Sequence, residues 1–233
     1  MKNLAIIPAR SGSKGLKDKN IKLLNEKPLM AYSIEAALES KKFDEVMVST
    51  DSPKYADIAK EFGATVPFLR SERTSSDTAS SWDMVKEVLS CYEKLGKKFD
   101  TVCLLQPTSP LRNAIDIQDA YKLYEEKASV AVLSVCEMEH TPLWSNILPD
   151  DLSLNGFIRT DLGTRRQDTG TYYRVNGAIY ITSVEQLYKD SNLYREGSFA
   201  YIMPRERSVD IDTMLDFSYA EFMLDFDQKT LKS

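Results

Sequence analysis

The sequence predicts an α/β fold with a parallel sheet at its centre, and three observations carry that expectation. Apolar runs of strand length alternate along the chain with segments of helical period. The runs are apolar throughout rather than at every second residue, as strands covered on both faces are. The first three also end in polar, turn-rich segments, ARSGSKG, TDSP and QPTSP. In a parallel sheet such loops share the carboxyl edge, where ligands bind.

Residues 4–8 are the first run and open into Gly12, Ser13 and Gly15. Ile34, Ala37 and Leu38 then take helical spacing, and residues 46–50, VMVST, form the second run, ending at Asp51. Met84, Val85, Val88, Leu89, Tyr92 and Leu95 trace the clearest helix, with the start signal DTASS before it. Residues 102–105 lead into Gln106, a helix follows through Ala120, Leu123 and Tyr124, and residues 130–135, VAVLSV, are the fourth run. Residues 138–175 are polar, turn-rich and without helical period. Such a length of irregular chain in a compact fold reads as a functional or interface element, here an arm inserted in a single domain spanning 1–233. A strand at 176–182 (NGAIYIT), a short helix at 184–188, a strand at 200–203 and a closing helix complete the chain. Leu215, Ala220, Met223 and Leu224 face inward in that helix, and Thr213 with Asp216 has capping-box spacing at its start.

Composition removes several function classes. With 42% hydrophobic and 28% charged residues in 233, the chain has an ordinary globular composition. A net charge of −5 gives no basic field for nucleic acid. No apolar run approaches the roughly 18 residues of a spanning helix, and MKNLAIIPAR is too short in apolar residues for a signal peptide. Neither nucleic acid nor membrane is therefore expected as a partner. Cys91, Cys103 and Cys136 are widely spaced with no CxxC, which fits free thiols in a reducing, cytoplasmic setting. His140 is the single histidine, so His-rich metal sites and His-based triads are nearly excluded. Chemistry is left to carboxylates, Lys, Arg, backbone amides and a bound cation.

The first loop surrounds its glycines with Arg10, Lys14, Lys17 and Lys19. Free amides and cations at a strand end suit a polyphosphate, although the loop matches neither GxxxxGK[ST] nor GxGxxG. A solvated basic turn is the plainer reading. In VDIDT, extended backbone puts Asp210 and Asp212 on one face. Paired carboxylates repel, and a hard cation such as Mg²⁺ relieves this; a helix cap at Asp212 explains the residue equally well. QPTSPLR holds a rigid turn from which Gln106 and Arg112 could reach a ligand, or which merely connects strand to helix. Arg165 and Arg166 form a pair suited to a carboxylate, and equally to a solvated surface.

In order, IIPARSGSKGLKDKN, VSTD, SSDTASS, LLQPTSPLR, RRQ…NGAIYI and VDIDT resemble the CMP-sialic acid synthetases, the acylneuraminate or nonulosonic acid cytidylyltransferases, over about residues 3–225. The resemblance implies a three-layer nucleotide-diphospho-sugar transferase (Rossmann-like) fold with a mostly parallel mixed sheet, an extended dimerisation arm and a homodimer. It implies CTP and a nine-carbon 2-keto sugar acid as substrates, with Mg²⁺ as cofactor. By the same resemblance Arg10, Ser13, Lys19 and Asn20 handle the CTP phosphates, and Arg70, Ala79 and Ser81 surround the cytosine and ribose. Gln106 and Tyr180 line the sugar site, Arg166 meets the sugar carboxylate from the neighbouring subunit, and Asp210 and Asp212 hold the metal. Arg10, Lys19 and Asp212 are the residues expected to carry catalysis. Two departures stand out. Trp144 follows His140-Thr141-Pro142-Leu143 where many sialic-acid enzymes have Lys, implying a different substituent pattern on the acceptor. Ser71 replaces the usual Pro after Arg70, so a looser loop is expected there. An eight-carbon (Kdo-type) cytidylyltransferase and a catalytically silent nucleotide-binding protein are the alternatives.

Overall fold

The computed structural model of the chain describes residues 1–12, 15–76, 78–158 and 170–230, the last four by backbone alone. The apolar runs form strands because both of their faces are covered. β1 (Asn3–Pro8) sends Ala5 and Ile7 to one side and Leu4 and Ile6 to the other, all fully buried. The first side packs on α1 (Leu29–Ser40), α2 (Pro53–Glu61) and α5 (Ala114–Glu126) through Met30, Ile34, Tyr55, Ala59, Ile117 and Tyr121. The second packs on α4 (Ser81–Lys94), which points Met84, Val85, Val88 and Tyr92 at the sheet. Helix, sheet and helix thus make three layers.

The remaining sheet strands are β4 (Glu45–Ser49), β5 (Thr101–Leu104), β6 (Ala131–Glu137), β7 (Tyr173–Ser183) and β8 (Ser198–Ile202). Their order is β4-β1-β5-β7-β6-β8. β1 runs parallel to β4 (Ile6↔Met47) and to β5 (Ile6↔Leu104), and β6 runs parallel to β8. The sheet is mostly parallel and mixed, as the resemblance implied, and the run-and-helix pattern alone did not show which strand is reversed. β7 lies antiparallel between β5 (Leu104↔Tyr180) and β6 (Leu133↔Tyr180), which makes the sheet mixed. Among the described residues no crossover helix separates β6 from β7, so nothing described in that connection requires a parallel return.

β7 also begins earlier than expected. Tyr173 and Val175 are substantially exposed and carry no buried-strand signal, yet their backbone pairs with β6 out to Glu137↔Tyr173. The segment between them leaves the sheet at residue 138, and its only described helix is the short turn Pro142–Trp144. Two elements with little apolar signature complete the frame. β2 (Leu23–Leu24) and β3 (Lys27–Pro28) form a hairpin in which Asn25 and Glu26 both take positive φ, the tight-turn conformation that matches strand twist. α3 (Glu72–Ser75) is a single turn before α4. α6 (Val184–Lys189) follows β7, and α7 (Met214–Thr230) closes the chain. Thr213 and Asp216 bond reciprocally at the start of α7, the capping box expected there. Phe217 and Ala220 of α7 bury against Leu16, Leu24, Leu29 and Ile211, fastening the last helix to the loop after β1, whereas Leu215, expected inward, is exposed. Cys103 and Cys136 are buried, Cys91 is half-buried, and all are free thiols.

Candidate active site

The loop after β1 is held at both ends. Asn20 Nδ2 donates to the Arg10 carbonyl at 3.0 Å and closes its base. Beyond the end of β4, Asp51 accepts from Ser11 N–H at 2.7 Å and from Ser11 Oγ at 2.6 Å. Burial pushes the Asp51 carboxyl upward, but the Ser11 bonds, with Arg70 nearby, outweigh it and hold the group below its ordinary value. Tyr55 OH, one turn into α2, donates to Asp18 at 2.9 Å, where the chain takes a positive φ of 52°. Lys19 Nζ then reaches across to the Ile211 carbonyl (2.7 Å) and to Asp212 Oδ1 (3.0 Å). Gly15 makes this approach possible, since a Cβ there would lie 2.9 Å from the Asp212 carbonyl oxygen.

Between loop and sheet edge lies a cavity of 590 Å³. Of the residues expected in a site, Arg10, Lys19, Asn20, Arg70, Ala79, Ser81, Gln106, Asp210 and Asp212 all line it. Arg10 Nη1 donates to the Ser75 carbonyl at 3.2 Å, and Arg70 to the Thr74 carbonyl. Burial and then the neighbouring Arg10 hold the Arg70 guanidinium below its usual range. Two guanidiniums brought together this way form an anion site. The cap of α4 falls on Ser80, whose hydroxyl accepts from Trp82 N–H at 3.1 Å, leaving Ser81 to face the cavity.

Asp210 and Asp212 close the opposite wall. Burial and the like charge of Asp212 raise the Asp210 carboxyl above its ordinary value, while the Thr108 hydroxyl, Lys19 and Arg174 pull the other way. A hard dication would relieve that repulsion, and an all-oxygen donor pair suits Mg²⁺. No cluster of three or more His, Cys, Asp and Glu able to hold a metal occurs among the described residues. The protein would thus supply two carboxylates and leave the remaining positions to phosphate oxygens and water, the usual arrangement for this ion.

Three expected residues remain. Ser13 and Arg166 fall outside the described residues, as do Arg165 and Gln167. Tyr180 lines a separate cavity of 160 Å³ with Trp82, Leu133, Leu193 and Tyr194, its ring edge-on to Trp82 at 6.1 Å. Its hydroxyl is pushed up to about 12 by burial, then by Tyr194 and Asp210. Arg112, read as able to reach a ligand, is 1% exposed and turned into the protein. The sequence puts the TDSP loop on this rim but gives no sign of the anchoring roles of Asp51 and Tyr55. It gives no sign of the role of Gly177 either. With φ at +78°, a Cβ at Gly177 would lie 2.8 Å from Gln106 Oε1 and 3.8 Å from Asp210 Oδ2, so Gln106 and Asp210 converge on this one point of β7.

Residues 4–210 match a family profile described as cytidylyltransferase. The N-acylneuraminate cytidylyltransferase of Escherichia coli O18:K1:H7 is 40% identical over 221 residues, covering 94% of this chain and 51% of that protein. The CMP-N,N'-diacetyllegionaminic acid synthase of Legionella pneumophila is 36% identical over 238 residues, covering 99% of this chain and all of that protein. The pseudaminic acid cytidylyltransferase of Campylobacter jejuni (strain 81-176) is 34% identical over 223 residues, 96% of each. The chain therefore spans about half the length of the N-acylneuraminate relatives and nearly all of the other two. Among solved structures, a CMP:2-keto-3-deoxy-manno-octonic acid synthetase complexed with CTP superimposes with a TM-score of 0.73 at 17% identity, over 97% of this chain and 100% of that one. At that identity the likeness is one of fold.

Proposed function

The chain belongs to the cytidylyltransferase family, and from that premise we propose that it transfers CMP from CTP to the anomeric C2 hydroxyl of a nonulosonic acid, releasing pyrophosphate. The observation that carries this reading is the single cavity with Arg10, Lys19 and Arg70 facing a carboxylate pair, Asp210 and Asp212. CTP brings about four negative charges, and the acceptor adds a carboxylate. Catalysis in such a reaction is positioning plus charge neutralisation.

In this reading Arg10, Lys19 and Asn20, with Ser13, hold the triphosphate, and Arg70, Ala79 and Ser81 receive cytosine and ribose. Asp210 and Asp212 would hold Mg²⁺, which when bound supplies positive charge against the phosphate oxygens. Lys19 bonds Asp212 and borders the phosphate loop, so it keeps carboxylate and phosphate ends in register. The C2 hydroxyl, presented beside Gln106, attacks the α-phosphorus in line and pyrophosphate departs. Tyr180 belongs to the acceptor side, and Arg166 to the acceptor carboxylate from the partner subunit of a homodimer. The exposed apolar residues Ile147, Leu152 and Leu154 of the arm fit such a subunit contact. A cytoplasmic location is part of the same reading; among the described residues no helix is long and apolar enough to cross a membrane. The relatives are named for three nonulosonic acids, and Trp144 in place of a cation favours an acceptor of the legionaminate or pseudaminate type.

The test is pyrophosphate release from CTP with N-acetylneuraminate, legionaminate, pseudaminate and Kdo, each against a blank. Release should depend strictly on a nine-carbon acid. Preference for Kdo, or CTP binding without turnover on any acid, would overturn the proposal.

A further inference from the structure

Arg112 lies between the QPTSPL turn and α5 and is among the largest fully buried side chains. A buried guanidinium ordinarily has a carboxylate partner. Here the nearby acid, Asp116, is occupied by Arg207 (Nη2 at 2.7 Å, Nε at 3.2 Å) and Tyr201 (3.1 Å). Arg112 spends its donors on uncharged groups instead. Nη2 donates to Ser33 Oγ at 2.6 Å and to the Gln106 carbonyl at 3.3 Å, and Nε donates to the Ala178 carbonyl at 3.3 Å. Nη1 has no hydrogen-bond partner among the described residues. Burial holds the group down, to about 10. So costly an arrangement calls for a role beyond packing.

The groups it joins supply one. The Gln106 carbonyl belongs to the loop at the end of β5, Ala178 to β7 beside Gly177, and Ser33 to α1, whose hydroxyl also donates to the Gln106 carbonyl at 3.2 Å. The same loop accepts Ile211 N–H on the Thr108 carbonyl at 2.9 Å, between the two carboxylates. One planar guanidinium therefore ties together the strand end that carries Gln106 and the strand against which the Gln106 amide rests. A fork of fixed donors suits that task better than an ammonium does.

We propose that Arg112 is a positioning residue that fixes the Gln106 amide at the acceptor end of the cavity. The acceptor assignment rests on the function proposed above; the positioning of Gln106 does not. The test compares Arg112→Met, which keeps bulk and removes the donors, with Arg112→Lys, which keeps the charge and loses the fork. Two readouts are taken well below each variant's melting temperature. The first is the Gln106 side-chain amide signal in a ¹H–¹⁵N spectrum, identified by its loss in Gln106→Glu. The second is kcat/KM for the sugar acid beside the dissociation constant for CTP. Arg112→Met is expected to move the amide signal and to lower kcat/KM for the acceptor by about 10- to 100-fold, the scale of a misplaced orienting group. CTP binding stays within about twofold, and Arg112→Lys recovers part of the loss. An unmoved amide signal with unchanged kinetics, whatever the melting temperature, would show that Arg112 only fills space. If Arg112→Met does not fold, the same two readouts on Arg112→Lys decide. If the unaltered chain turns over no acid, the function fails by itself, and the amide signal still settles the role of Arg112.

Discussion

Gly177→Ala perturbs the site by a single methyl group, and the structure separates its two effects. The backbone effect comes from φ of +78°, a region that costs a residue with a Cβ about 1–2 kcal/mol. For a domain of this size, 1 kcal/mol corresponds to about 2–4 °C in melting temperature, so a fall of roughly 2–8 °C is expected. The contact effect comes from the 2.8 Å approach of the new Cβ to Gln106 Oε1, well inside the roughly 3.5 Å of comfortable contact. The Gln106 side chain is the flexible partner and turns away at little cost in stability. Asp210, 3.8 Å from the same point, need not move. Activity should therefore fall by about 10- to 100-fold in kcat/KM for the acceptor, with KM for CTP nearly unchanged. Thermal scans and steady-state kinetics on Gly177→Ala, Gln106→Ala and the double variant complete a cycle. The stability loss should persist in the double variant, because it lies in the backbone. The activity losses should not add, because each removes the same amide. A Gly177→Ala variant with unaltered melting temperature and kinetics, or full additivity in activity, would refute the reasoning.

Asp210→Asn should raise stability near neutral pH while abolishing turnover. The folded-state value of Asp210 is raised, so its own contribution is fully favourable below about its ordinary 3.8 and is lost as pH rises through the raised value. The gain from Asn should accordingly vanish in acid denaturation below that range, and a gain that persists there would contradict the cause given. Asp51→Ala removes both anchors of Ser11, which are charge-assisted and worth about 1.5–3 kcal/mol each before allowance for partial exposure. KM for CTP should rise about tenfold or more, and an unchanged KM would show that the loop holds itself. Asp212→Ala should nearly abolish pyrophosphate release with the melting temperature preserved, since its side chain is 76% exposed. Full activity at saturating Mg²⁺ would remove the metal assignment.

The layers were legible because β1, β4 and β5 are apolar on both faces and α4 shows its inward stripe at helical spacing. The direction of β7 was not, since a central strand covered on both faces reads as an apolar run whichever way its neighbours point. α2 escaped notice because only Tyr55, Ala56 and Ala59 are buried in its nine residues, too short a stripe to read. Within the site, glycines and cations at a strand end signalled the loop that lines the cavity, and DID signalled the carboxylate pair facing it. The burial of Arg112 was not legible for a physical reason: a charged side chain beside a turn is normally solvated, and nothing local reveals that three backbone elements will close over it. Gly177 was equally silent, because a close approach across strands leaves no trace in sequence spacing. Tyr180 was placed in the sugar site by resemblance alone, and it borders a neighbouring cavity.

The central claim is CMP transfer rather than CTP binding or hydrolysis. The most direct measurement is ³¹P NMR of a reaction holding CTP, Mg²⁺ and the preferred nine-carbon acid. One phosphodiester signal and one pyrophosphate should appear for each CTP consumed, with neither formed when the acid is left out. CMP or inorganic phosphate accumulating without a phosphodiester, or CTP consumed in the absence of the acid, would contradict the account.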